Sequence, residues 1–230
     1  MLADSLAIAP IAQGSLSQRA YSVLRDGLIC GQFRPGQRLV MQDLADMLGT
    51  SITPVREACM RLVSEGGLQL KSGRFAFVPP MTRERYMEVR LMRLELEGLA
   101  TEIAAQKATA EDIAHLKSIQ PLYAAADNGE LSDEAFRLNR EFHFAVYRIS
   151  GMSMLISHIE SLWTSMGPML TVFFIRGKRT YFGADGHKRV IEFIEAGDGP
   201  GARAAIRRDI IDGGVDFIRF LEEQGQTATV

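Results

Sequence analysis

Cysteine is almost absent. Cys30 and Cys59 are the only two in 230 residues, which excludes a disulfide framework and any four-cysteine zinc module. Both fall on expected helical apolar faces and read as buried thiols. No apolar run approaches the ~20 residues that a membrane-spanning helix needs, so no membrane association is expected. The patch from Leu6 to Ala12 has no basic stretch ahead of it, so it does not read as a signal peptide, and a cytoplasmic chain is expected. Neither sign of charge dominates: 26 Lys and Arg stand against 28 Asp and Glu, a net −2. A chain-wide nucleic-acid trap is therefore excluded. Internal repeats, low-complexity tracts, nucleophile motifs and phosphate-binding glycine loops are also missing.

What is present is unevenly spread. Apolar residues make up 47% of the chain, enough for a substantial core. Residues 1–80 carry eight Lys or Arg against six acids, so that part is +2 and the remainder is −4. A mildly basic N-terminal piece on an acidic body fits a small DNA-reading domain joined to something else.

The stretch Gln42 to Arg61, QDLADMLGTSITPVREACMR, organises the basic part. Leu44, Ala45 and Leu48 form a short apolar face, and Gly49-Thr50-Ser51 breaks the period. A second helix restarts at Thr53-Pro54, with Thr53 as its cap and Pro54 as its first residue. Val55, Ala58, Cys59, Leu62 and Val63 follow at helical spacing, which makes one buried stripe. Thr53, Arg56, Glu57, Met60, Arg61 and Ser64 lie on the opposite face. Two short helices with a tight turn are the form of a helix-turn-helix, although the same shape occurs in helical domains that never touch DNA. Leu68-Gln69-Leu70 and Phe75-Ala76-Phe77-Val78 then alternate as strands around a Lys71-Ser72-Gly73-Arg74 turn. That is a wing with a basic tip suited to phosphate. A first helix over Ser17 to Cys30, with Ala20, Val23, Leu24 and Leu28 inward, and a short strand at Arg38-Leu39-Val40 complete the unit.

The runs LRDGLICGQFRPGQRL, LA-x-x-LG-T-S-x-TPVREA and RL-x-x-EG resemble the DNA-binding domain of the GntR family of bacterial transcription regulators. The resemblance implies a winged helix-turn-helix over residues 17–79, after an N-terminal arm (1–16). It also implies a double-stranded DNA operator as partner, with Arg25, Thr53, Arg56, Arg61 and Gly73 at the DNA. Ile52 departs from the pattern. The family usually has Arg there, which could read guanine bidentately where Ile cannot.

After a linker (80–84), residues 85–224 read as helices throughout, with a tail at 225–230. Expected helices are Thr82–Lys107, Thr109 to about Asn128, Leu131–Ile149, Met152–Ile175, Tyr181–Ala196 and Pro200–Glu223. Thr109 to Asp112 looks like a capping box. Six helices with short connections imply an all-α antiparallel bundle. The Met- and Phe-rich fourth helix, which holds Trp163, reads as core or as a dimer interface. Asn139 and His143 are four residues apart, so both point the same way. They fit either a hydrogen-bonded pair or part of a metal site. His115 and His158 read as satisfied polar residues in or near the core.

The runs N-R-E-FH, GHKRVIEFIEAGD and ARAAIRRDI resemble the FCD effector domain of the FadR branch, in its shorter VanR-like form. Many members hold a divalent metal on Asp-x-x-x-His and two later His. The matching positions here are Asn139, His143, His187 and Asp209, so the chain departs at the first and last. Two imidazoles, an amide oxygen and a carboxylate still suit Zn, Ni, Mn or Fe. The resemblance also implies a small organic acid as effector, facing Arg93, whose fork suits a carboxylate. Pairing of Arg93 with Glu97 on the surface is the alternative.

The expected protein is a homodimeric, ligand-responsive DNA-binding regulator and not an enzyme. It combines a winged helix with a metal-containing helical sensor bundle. The alternatives are a regulator whose effector is the metal itself, and a metalloenzyme fused to a winged helix.

Overall fold

The computed structural model describes residues 16–72, 75–127, 133–178 and 180–227. The chain is mainly α-helical, with one small sheet. In the N-terminal part, α1 (Leu16–Ile29) is followed by β1 (Arg38–Val40), α2 (Met41–Met47) and α3 (Ile52–Ser64), then β2 (Gln69–Ser72) and β3 (Phe75–Phe77). The three strands are antiparallel in the order β1-β3-β2, with Arg38 and Gln69 both opposite Phe77. The short strand before the helix-turn-helix therefore does join the wing. Gly49 makes the turn between α2 and α3 with φ +62°, a conformation that costs glycine little.

Val55, Ala58, Cys59 and Leu62 of α3 are buried with Leu24 and Leu28 of α1, Leu44 of α2 and Leu68 and Val78 of the wing. Each fully buried apolar side chain contributes about 1.5–3 kcal/mol. Three details differ from the sequence reading. Val23 is exposed, because α1 turns a narrower face inward than its apolar content suggests. The cap of α3 is Ser51, with no side-chain cap hydrogen bond, so Thr53 and Pro54 fall inside the first turn. Cys30 lies just past α1 and is only half-buried, with its sulfur against the Arg140 guanidinium.

The second part consists of α4 (Arg83–Lys107), α5 (Ala110–Ala126), α6 (Asp133–Ile149), α7 (Ser153–Arg176), α8 (Ala184–Glu195) and α9 (Gly199–Thr227). Thr109 and Asp112 form the expected reciprocal capping box at α5. The long α4 runs along α9 and also packs on α6 and α7, while α8 fills the space between α5 and α9. Trp163, Tyr123, Tyr147, Phe142 and Phe217 are the largest fully buried side chains. His115 and His158 are exposed on α5 and α7, not in the core, because each sits on the polar side of its helix.

The two parts meet where the end of α1 rests on α7. A Cβ at Gly167 would come within 2.6 Å of the Leu28 carbonyl oxygen, so only glycine permits this approach. Arg25 of α1 also donates to Glu160 of α7 at 2.7 Å.

Candidate functional site

Two constellations carry chemistry. The first is the outer face of α3. Thr53 and Arg56 are exposed there, and Arg56 has no ion-pair or hydrogen-bond partner among the described residues. Ile52, the first residue of α3, is half-buried and packs at the edge of the core. Arg61 is turned back onto α1. It donates to Glu65 at 3.1 Å and to Gln18 at 3.0 Å, and lies 3.6 Å over the Tyr21 ring. Arg25 is held between Asp26 and Glu160. Gly73 and Arg74 lie outside the described residues. Lys71, on the wing, stands over the Phe77 ring at 4.8 Å.

The second constellation is buried in the helical bundle. His143 from α6, His187 from α8 and Asp209 from α9 bring one potential ligand atom each to within 4.8 Å of the others. Asn139, one turn before His143, lines the cavity that the cluster faces. His187 is 0% exposed and stacks on Phe142 at 3.9 Å between ring centroids. Neither of its ring nitrogens has a hydrogen-bond partner among the described residues. Burial, only partly offset by nearby Asp209, pushes its pKa down to about 3. The ring is therefore neutral and offers an unshared electron pair in an apolar wall. An unpaired buried polar group of this kind costs about 1–3 kcal/mol.

The protons around His143 can be traced. Glu97 is fully buried and accepts from Arg93 Nε at 2.7 Å, Arg93 Nη2 at 3.0 Å and Trp163 Nε1 at 2.9 Å. It also accepts from the Tyr147 hydroxyl at 2.5 Å. Burial, reinforced by Glu97, raises the Tyr147 pKa well above its ordinary value, so the phenol keeps its one proton. With that proton spent on Glu97, Tyr147 can only accept from His143 Nδ1, 2.8 Å away. His143 Nε2 is left facing Asp209 Oδ2 across 3.3 Å. Two electron-rich atoms at that distance require a cation between or beside them, either a proton or a metal ion. Two ligands of one tetrahedral ion at about 2.1 Å stand ~3.4 Å apart, so the spacing fits. The hydrogen bond at the far nitrogen is also the orienting contact that metal-binding histidines use. The other Asp209 oxygen accepts from Tyr181 at 2.8 Å. Burial pushes the Asp209 carboxyl up, but the contacts with His143 and Tyr181 outweigh it and hold the pKa below the usual value.

Arg93 does line the cavity, but as the bidentate partner of Glu97 and not on the surface. Glu97, Tyr147 and Tyr181 were not singled out as site residues from sequence. Tyr147 is four residues after His143, the same spacing that pairs Asn139 with His143, so that signal was available. Tyr181 lies in a connection, where no periodicity marks it.

A winged helix followed by an all-helical domain, the latter with a buried histidine–carboxylate cluster, is the form of a DNA-binding regulator. Comparison with known proteins is consistent with this. Residues 16–78 match the family described as bacterial regulatory proteins, gntR family, and residues 88–212 match the FCD domain. The chain is 37% identical over 157 residues to the HTH-type transcriptional regulator McbR of Escherichia coli (strain K12), covering 68% of this chain and 71% of that protein. It is 34% identical over 131 residues to the Nta operon transcriptional regulator of Aminobacter aminovorans, covering 56% and 61%. The solved structure of E. coli McbR/YncC superimposes with a TM-score of 0.80 at 29% identity, covering 92% of this chain and 99% of that one. This chain belongs to the GntR family of bacterial transcription regulators and carries its FCD domain. It is a DNA-binding transcription regulator. Among the described residues, no helix is long and apolar enough to cross a membrane.

Proposed function

We propose that operator binding by this regulator is controlled from the buried cluster by a small carboxylate effector and a divalent metal ion. His143, His187 and Asp209 would hold the ion, with Asn139 as a neutral fourth donor. The observation that carries this reading is His187, a neutral, fully buried imidazole with two unpartnered nitrogens beside a second imidazole and a carboxylate. When bound, a divalent ion would supply a positive centre with room for an anionic ligand. The protein's own residues do the rest. The path from Glu97 through Tyr147 fixes the ring of His143, and until a ligand enters, Tyr181 holds the carboxylate of Asp209.

The route to DNA runs through α7. Trp163, Leu170 and Phe173 of this helix line the cavity, while Glu160 and Gly167 touch α1. A ligand that prefers one placement of α7 would shift how α1 and α3 are presented. Arg25, Thr53, Arg56, Arg61 and Gly73 are the proposed DNA contacts. Two copies of the chain would place two α3 helices on half-sites one helical turn apart. The test is metal content and operator binding of the full chain, compared with His143→Ala/His187→Ala. Equal metal in both proteins would sink the metal site.

A further inference from the structure

The cavity beside the cluster is small, about 70 Å³, and its chemistry is lopsided. His143 and Asp209 bring two of the cluster's potential ligand atoms to it, and Asn139 lines it as well. Arg93 and Asp216 also line it, but Arg93 is paired with Glu97 and Asp216 with Thr180, Tyr181 and Arg219. The remaining wall is aromatic, aliphatic or glycine, including Tyr86, Tyr123, Trp163, Phe173, Tyr181 and Phe217. We infer that its ligand is a small aromatic monocarboxylate of about benzoate size, with its carboxylate toward His143 and Asp209 and its ring among the aromatic side chains. This rests on the reading that a divalent ion sits on that cluster, because Asp209 alone would repel an anion.

Three observations narrow the ligand to this class. A polyhydroxylated acid needs hydrogen-bonding partners along its length, and away from the cluster this wall offers ring faces, aliphatic groups and polar groups such as Arg93, Asp216 and Tyr181 that are already engaged. A second carboxylate would need a free cation, but Arg93 already spends Nε and Nη2 on Glu97. Finally, the wall already accepts a phenol ring. Tyr181 lines the cavity and donates its hydroxyl to Asp209 at 2.8 Å.

A cavity that takes benzene measures about 150 Å³, so a benzoate ring needs more room than is now open. Displacing the Tyr181 side chain would provide it. The backbone around Tyr181 is pinned independently of its ring. Asp216 accepts from the backbone N–H groups of Thr180 and Tyr181, and Asp127 accepts from Gly183 N at 2.9 Å. The ring can therefore swing while the connection stays in place. Opposite it, Gly213 and Gly214 sit side by side within α9, each costing a helix interior about 1 kcal/mol relative to Ala. A Cβ at Gly213 would lie 3.5 Å from the Tyr181 ring, and one at Gly214 would lie 2.7 Å from the Tyr86 hydroxyl. Side chains there would fill the space that a flat ligand needs.

The only tryptophan, Trp163, lies in the wall, so its fluorescence reports occupancy. The full chain reconstituted with zinc is titrated with benzoate, succinate, gluconate and benzyl alcohol, by fluorescence and by calorimetry. Benzoate should bind, and the other three at least about tenfold more weakly, the worth of one or two aromatic or charged contacts. Gly213→Leu should weaken benzoate by a similar factor without loss of zinc. Gly213→Ala serves if the larger variant fails to fold. Succinate, gluconate or benzyl alcohol binding as tightly as benzoate would overturn the inference, as would unchanged benzoate binding by the folded glycine variants. Zinc retained without any benzoate response overturns the ligand class alone. Benzoate binding to a protein that holds no zinc overturns the metal reading and leaves the aromatic pocket standing.

Discussion

The contact between Arg25 and Glu160 makes a quantitative prediction. Arg25 is a proposed DNA contact, yet its guanidinium is held at 2.7 Å by a carboxylate from the other domain. Both side chains are about one-fifth exposed, at 21% and 20%, so the pair is only partly screened. A pair of this kind is worth up to about 1 kcal/mol. A phosphate that recruits Arg25 must first offset that contact. Glu160→Gln keeps the shape and removes the charge, so operator affinity should rise by up to about fivefold per half-site. If Arg25 then binds phosphate, the slope of log affinity against log salt should steepen by about 0.9 per half-site. Removing a nearby negative charge would help any DNA complex, so the assay is a double-mutant cycle with Arg25→Ala, read by fluorescence anisotropy at several salt concentrations. The gain from Glu160→Gln should vanish in the Arg25→Ala background. An equal gain in both backgrounds, or none in either, would refute the idea that Glu160 competes with DNA for Arg25.

Two further outcomes follow from named contacts. Arg56→Ala should weaken operator binding by about 1–3 kcal/mol if it reads a base edge, with circular dichroism and oligomeric state unchanged; a gel shift at low protein concentration decides it. Glu97→Gln should leave Arg93 buried without its charged partner and cost about 3–5 kcal/mol. At about 2–4 °C per kcal/mol, the melting transition of the helical domain should fall by roughly 6–20 °C, and a calorimetric shift of only a degree or two would contradict the role of Glu97 as the hub.

The order of elements was legible in the sequence because each has its own period and its own stop. The α3 stripe from Val55 to Leu62 and the Thr109 capping box are examples. The meeting of His143, His187 and Asp209 was legible only through family resemblance, since three helices separated by long stretches of chain must pack before those side chains converge. Glu97 escaped for a different reason. Beside Arg93 it reads as one half of an ordinary surface pair, and only tertiary packing shows that it is fully buried beneath Tyr147 and Trp163. The surroundings of Arg25 escaped as well, because nothing local in α1 announces that α7 will lie across its end.

The most direct test of the central proposal is elemental analysis of the purified full chain after reconstitution with Zn, Ni, Mn or Fe and removal of free ion. Wild type should retain about one ion per chain, and its thermal stability should rise with metal, because an ion that binds only the folded state stabilises it. His143→Ala/His187→Ala should retain none and show no metal-dependent stabilisation. Equal metal content in the two proteins, with no metal-dependent shift in either melting temperature, would mean that His143, His187 and Asp209 form a polar core cluster held by a proton, with no ion at its centre.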